Sequence, residues 1–171
     1  MNQKIKSYIP HKEPIPYLLV KNYFNDKDVD LMLTELRFLT PKMTFQDGIQ
    51  LPTKDHKKNT QIGLDELYQD RKTSNILNTM DKIYEDSELI QTLKDMSWFY
   101  EIWGYTNLDN TFEGGNVHLT DYDIEIPLER NQLMIMPSST HHAVDEIKMI
   151  RGVDKLSGMG RYCVVRFLKL N

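Results

Sequence analysis

Apolar positions recur at helical spacing through the first half of the chain and alternate with polar ones through much of the second. Val29, Met32, Leu33 and Leu36 fall on one face of a helix, which Asn25 or Asp26 can cap and Pro41 stops. Leu77, Met80, Ile83 and Tyr84 keep the same period after Ser74, a second capping residue, and a further turn or two is expected from Ser87 to Lys94. Before the first helix, Tyr17 to Val20 read as a short apolar strand. Residues 1–16, with Pro10, Pro14 and Pro16, read as an extended lead-in. Between the helices, Thr44 to Lys58 carry Gly48, Pro52 and the run KDHKK, the composition of an exposed loop.

After Ser97 the pattern changes to that of strands. WFYEIWGY at 98–105 is aromatic, NVHLTDYDIEI at 116–126 alternates, and QLMIMP at 132–137 is apolar throughout. Two more strands carry His142 and Arg161. Turn residues separate them, among them Gly114-Gly115, Pro127, Gly152, Gly158 and Gly160. The expected class is α+β: one domain over residues 1–171, with the lead-in at 1–16, mainly helical support at 17–96, and strands at 97–171. The helices should pack on one sheet.

Alternation places His142, Val144 and Glu146 on one strand face, and Arg161, Cys163, Val165 and Phe167 on one face of the last strand. An arginine is thus aimed at apolar neighbours. Burying that charge without an anion costs several kcal/mol, so the same face should receive a carboxylate or phosphate. A histidine beside it points to a metal.

Composition narrows the function classes. The 171 residues are 40% hydrophobic and 27% charged, enough for one core. A formal charge of −4 gives no general support to nucleic-acid binding. Cys163 is the only cysteine, so an internal disulfide is impossible and a reducing compartment is expected. No apolar run reaches a membrane span, and Met1 to His11 are too polar for a signal peptide, which makes the expected location cytoplasmic and the expected partners free of membrane.

Three stretches carry a family resemblance: NTFEGGNVHLTDYDIEI, NQLMIMPSSTHHAVDEI and GMGRYCVVRF. In order and approximate spacing they resemble the core of the iron(II)- and 2-oxoglutarate-dependent dioxygenases, in the prolyl-hydroxylase-like branch with its small phage-type relatives. The likeness covers about 97–171 and, weakly, 17–40. It implies a double-stranded β-helix, a jelly-roll or cupin-like barrel, with Fe(II) and 2-oxoglutarate as cofactors. By it His142, two before Val144, corresponds to the distal iron ligand, and Arg161 to the residue that binds the distal carboxylate of 2-oxoglutarate. The activity implied is hydroxylation of a peptide, nucleotide or small metabolite, with a small-molecule cosubstrate. The family's His-x-Asp or His-x-Glu pair is not found: none of His11, His56, His118, His141 and His142 has a carboxylate two places on. The alternative is therefore a β-helix binding or regulatory module that has lost its iron site.

Plainer roles stand beside these. Arg161 can pair with Glu146 or Asp145 across neighbouring strands. His142 can be a structural or surface histidine, and His118 can form a cupin-like metal pair with it, joined by Asp121 or Asp123. The double glycine is most simply a bend, the aromatics of 98–105 core, and Cys163 a small buried apolar group.

Overall fold

The computed structural model describes residues 4–46, 59–96, 102–107, 112–149 and 161–168. In chain order the elements are β1 (Ser7–His11), β2 (Tyr17–Lys21), α1 (Asp26–Leu39), β3 (Thr44–Gln46), β4 (Asn59–Gln61), α2 (Leu64–Leu67), α3 (Asn75–Asp81) and α4 (Ser87–Asp95). Then follow β5 (Ile102–Asn107), β6 (Phe112–Gly114), β7 (Val117–Leu119), β8 (Ile124–Ile126), β9 (Gln132–Pro137), β10 (His142–Val144), β11 (Ile147–Met149) and β12 (Cys163–Leu168).

Helices α1, α3 and α4 begin at side-chain caps. Asn25 accepts from the Asp28 N–H at 2.8 Å, Ser74 from that of Leu77 at 3.1 Å, and Asp86 from that of Leu89 at 3.0 Å, each satisfying an amide that the first turn leaves without a carbonyl. Asp26 and Asp28 in the first turn of α1 and Arg37 in its last match the helix dipole. A 3-10 turn at Thr40–Lys42, carrying Pro41, ends it. Between α1 and α3 the buried Glu35 accepts from the Ser74 hydroxyl at 2.6 Å and the Ile76 N–H at 3.0 Å. That carboxylate locks the two helices together.

Five strands form the main sheet in the order β1-β2-β9-β5-β12, antiparallel at each pairing. The lead-in thus supplies an edge strand, β1, rather than unpaired chain; its Tyr8 and Ile9 lean on the two cores. The sheet is covered on both faces. Leu18, Val20, Leu133 and Ile135 join one core with Val29, Met32, Leu33, Met80 and Leu89 of the helices. Tyr17, Leu19, Met134 and Met136 join a second core with Val117, Leu119 and Ile126 of a three-stranded sheet ordered β10-β7-β8. Helices, large sheet and small sheet therefore stack as three layers. Strand β9 lies in the middle, with Gln132 through Met136 all buried, which explains an apolar run where half-exposed strands alternate.

The mixed α+β arrangement with helices on one sheet is as expected, but no barrel closes: the described strands make open sheets of five, three, two and two. One stretch expected to run straight is broken, and one expected as a loop is partly paired. Residues 116–126 reverse at Thr120 to Asp123, where Asp123 takes φ 53°, so that β7 and β8 pair as a hairpin. Thr44–Gln46 and Asn59–Gln61 pair across what reads as a loop, whose KDHKK run lies outside the described residues. Ahead of β9, Asn131 at φ 59° donates to the Phe24 carbonyl at 2.7 Å and accepts its N–H at 2.9 Å, fastening the sheet to the start of α1. No helix among the described residues is long and apolar enough to cross a membrane.

Candidate functional site

The double glycine is the corner around which the second core is arranged. Gly114 and Gly115 both adopt φ 79°, a left-handed backbone that residues with a Cβ rarely enter. A Cβ on Gly114 would lie 2.3 Å from the Glu146 carbonyl oxygen, so the facing chain passes where a side chain would stand. The strand changes direction there from β6 to β7, and its neighbour does the same from β11 to β10. Between the two ladders the Asp145 N–H donates to the Asn116 carbonyl at 3.0 Å, keeping the bent strands in step.

Arg161 lies across this corner. Its Cδ and Nε approach the position of a Gly115 Cβ to 3.0 and 3.2 Å, beside the Phe112 ring at 3.3 Å. Two residues on, Cys163 packs on the core between the sheets, whereas Tyr162 and Val164 pack on the helical side. Arg161 therefore faces the space between the sheets, as alternation predicts. Its Nε and Nη2, the side-on edge of the guanidinium, are closed off from solvent. Burial pulls the pKa below the ordinary arginine value, with the Cys163 thiol acting in the opposite direction. An arginine stays cationic even so, and a desolvated fork of this kind is shaped for a carboxylate.

His142 faces the same space from the opposite layer. It stands directly across from Leu119, a fully buried member of the inter-sheet core, and residues opposite one another in a ladder share a face. Its Nδ1 lies 3.0 Å from the Thr140 carbonyl, which can only accept, so Nδ1 carries a proton and, in the neutral imidazole, the lone pair is on Nε2. That is the tautomer a metal-binding imidazole needs. Thr140 itself is 6% exposed, and its Oγ1 is buried with no hydrogen-bond partner among the described residues. Leaving a buried hydroxyl unmatched costs about 1–3 kcal/mol, so this atom points to a bound water or ligand. Arg161 thus meets the chain at Gly115, just before β7, while His142 stands opposite Leu119 at the end of β7.

The residues present fit a carboxylate group at Arg161. For iron the notable residue is His142, but among the described residues the group of three His, Asp or Glu side chains close enough to share an ion is His118, Glu125 and Asp145, not one that includes His142. His118 stands opposite Ala143 and Glu125, on the outer face of the small sheet, so the ladder separates it from His142 and the cupin-like pairing does not form. Asp121 ion-pairs with His141 at 3.0 Å, and Asp145 with His118 at 2.8 Å, which takes up one of the carboxylates that could have met Arg161. The side chains of the aromatic stretch 98–105 and of Phe167 lie outside the described residues. Thr140 carries no motif that would single it out in a sequence. Glu125 is likewise unmarked, because it meets His118 only through a turn that alternation along 116–126 does not reveal. Compared with known proteins, the chain matches no family model, no curated protein and no solved structure.

Proposed function

We propose that this protein is an Fe(II)- and 2-oxoglutarate-dependent oxygenase built on a modified double-stranded β-helix. Its two sheets would hold the cosubstrate between them. The observation that carries this reading is the buried Arg161 fork facing the same inter-sheet space as His142, beside a glycine corner that leaves room for it. In this reading Arg161 binds the distal carboxylate side-on through Nε and Nη2, and the absence of a Cβ at Gly115 keeps the guanidinium stem in place. His142 offers Nε2 to the metal, and the Thr140 hydroxyl gains a partner when the space is filled. Bound iron would supply dioxygen activation; its other protein ligands do not lie among the described residues.

The last strand, β12, pairs with β5, which pairs in turn with β9, and the glycine-cornered strand pairs with the one bearing His142.

A second reading, a binding module without iron, is favoured because no group of three ligating side chains among the described residues includes His142. A thermal-shift titration separates them. Under the oxygenase reading 2-oxoglutarate, with Mn(II) in place of iron, raises Tm by about 5 °C or more at about 100 times Kd, since it binds the folded state alone. Arg161→Ala abolishes the shift, and His142→Ala removes its dependence on metal. A metal-independent shift lost in Arg161→Ala selects the binding module. No shift at millimolar 2-oxoglutarate with metal present rejects both.

A further inference from the structure

We infer that the outer face of the small sheet carries a separate divalent-cation site formed by His118, Glu125 and Asp145. The three come from different parts of the sheet: His118 from β7, Glu125 from β8, and Asp145 from the residue that follows β10. Pairing register brings them together, because β7 lies between β8 and β10 and places His118 directly opposite Glu125 on one side and Ala143 on the other. Ala143 is too short to cover the imidazole, which leaves Asp145, two residues on, free to reach it.

The spacing suits a metal. His118 Nε2 and Asp145 Oδ1 are 2.8 Å apart, and one ligand atom from each of the three residues lies within 4.8 Å of the others. Two ligands set at right angles around an ion, each at about 2.1 Å, are separated by about 3.0 Å. The pair is already at that distance, and the exposed Glu125 closes the third side by a side-chain rotation. The Asn116 side-chain amide donates to Glu125 Oε1 at 2.5 Å, as outer hydrogen bonds do in metal sites, while the Asn116 carbonyl accepts the Asp145 N–H at 3.0 Å and fixes the backbone that carries Asp145.

An imidazole with two carboxylates, and no thiolate, selects Zn(II), Mn(II) or Fe(II) over softer ions. The two acidic groups balance a divalent charge, and the open outer side leaves the remaining positions to water. This site is independent of the proposed inter-sheet function: it uses none of the same side chains and faces the other way. A plain His118–Asp145 ion pair would not need Glu125, and that difference is what an experiment can read.

Chelator-treated protein is titrated with Zn(II), and separately with Mn(II), by calorimetry, in the wild type and in His142→Ala so that any inter-sheet metal is removed from the count. One equivalent is expected in His142→Ala, and the same equivalent in the wild type besides any metal held between the sheets. Glu125→Gln, an exposed and near-isosteric change, should weaken binding by about 10-fold or more, and His118→Ala by at least as much. Mn(II) should also broaden the NMR signals of His118 and leave those of the helical layer sharp. Binding unaffected by Glu125→Gln, binding lost in His142→Ala, or no binding of either ion at millimolar concentration overturns the site. The 2-oxoglutarate titration is unaffected by any of these outcomes.

Discussion

At Asp86 a single carboxylate joins three parts of the chain. It caps α4 through the Leu89 N–H, accepts from Lys6 Nζ at 2.8 Å, and accepts from the Tyr8 hydroxyl at 3.0 Å, tying edge strand β1 to the helical layer. Burial works to raise its pKa, but the hydrogen bonds from Lys6, Leu89 and Tyr8 together with the lysine charge outweigh it and hold the group below the usual carboxylate range. The folded state thus binds its proton less readily than the unfolded chain. The stability it contributes is complete above the unfolded value of about 3.8 and is lost as pH falls through the lower folded value. Asp86→Asn is expected to cost about 1–2 kcal/mol at pH 7, and denaturant melts of the two proteins should converge as pH drops below about 4. Equal gaps at pH 7 and pH 2.5 would show that the charge is not what matters. The caps Asn25 and Ser74 are legible in the sequence because each precedes a periodic apolar run. Asp86 is harder to read, since two of its partners sit in a lead-in that shows no such pattern. Arg161 is legible by alternation; Thr140 is not, because nothing local marks a hydroxyl that tertiary packing buries.

Among elements, the bent pair β6/β7 and β11/β10 depends most on residue identity. Gly114→Ala places a methyl 2.3 Å from the Glu146 carbonyl in a left-handed backbone, and should cost more than about 2 kcal/mol. Gly63→Ala serves as the comparison. That glycine has φ −80°, and an added Cβ meets only the exposed Glu66 side chain at 3.5 Å, so a change within about 0.5 kcal/mol is expected from urea melts. If the two variants were equally stable, the close approach at Gly114 would have relaxed at no cost. The glycine corner is visible in the sequence as a bend, but the hairpin of β7 and β8 is not. Apolar and polar residues alternate through 116–126, and the same alternation describes one strand or two short ones folded back. Only the left-handed Asp123, in a turn that aspartate tolerates, decides between them. That hidden turn is also why His118 and Glu125 could be seen separately and not as a pair.

At the scale of the whole molecule, the helical layer on one sheet follows from the helical period of 29–36 and the apolar run of 132–136. Barrel closure does not, because it depends on how far each strand continues, and the three-residue strands of the small sheet stop short. Both cores meet on β9: Ile135 faces the helices and Met134 the small sheet. Ile135→Ala and Met134→Ala should each destabilise by about 2–5 kcal/mol and shift one common transition, with near- and far-ultraviolet circular dichroism melting together. Two separate transitions, one for each variant, would mean that the layers fold independently. The pairing of Leu18 with Ile135 also sets an order of events on the ribosome. Nearly four-fifths of the chain is translated before β9 exists, and until then the apolar sides of β2 and the helices have no middle strand to cover them. The nascent polypeptide is most open to aggregation during that interval, which closes when one short segment emerges.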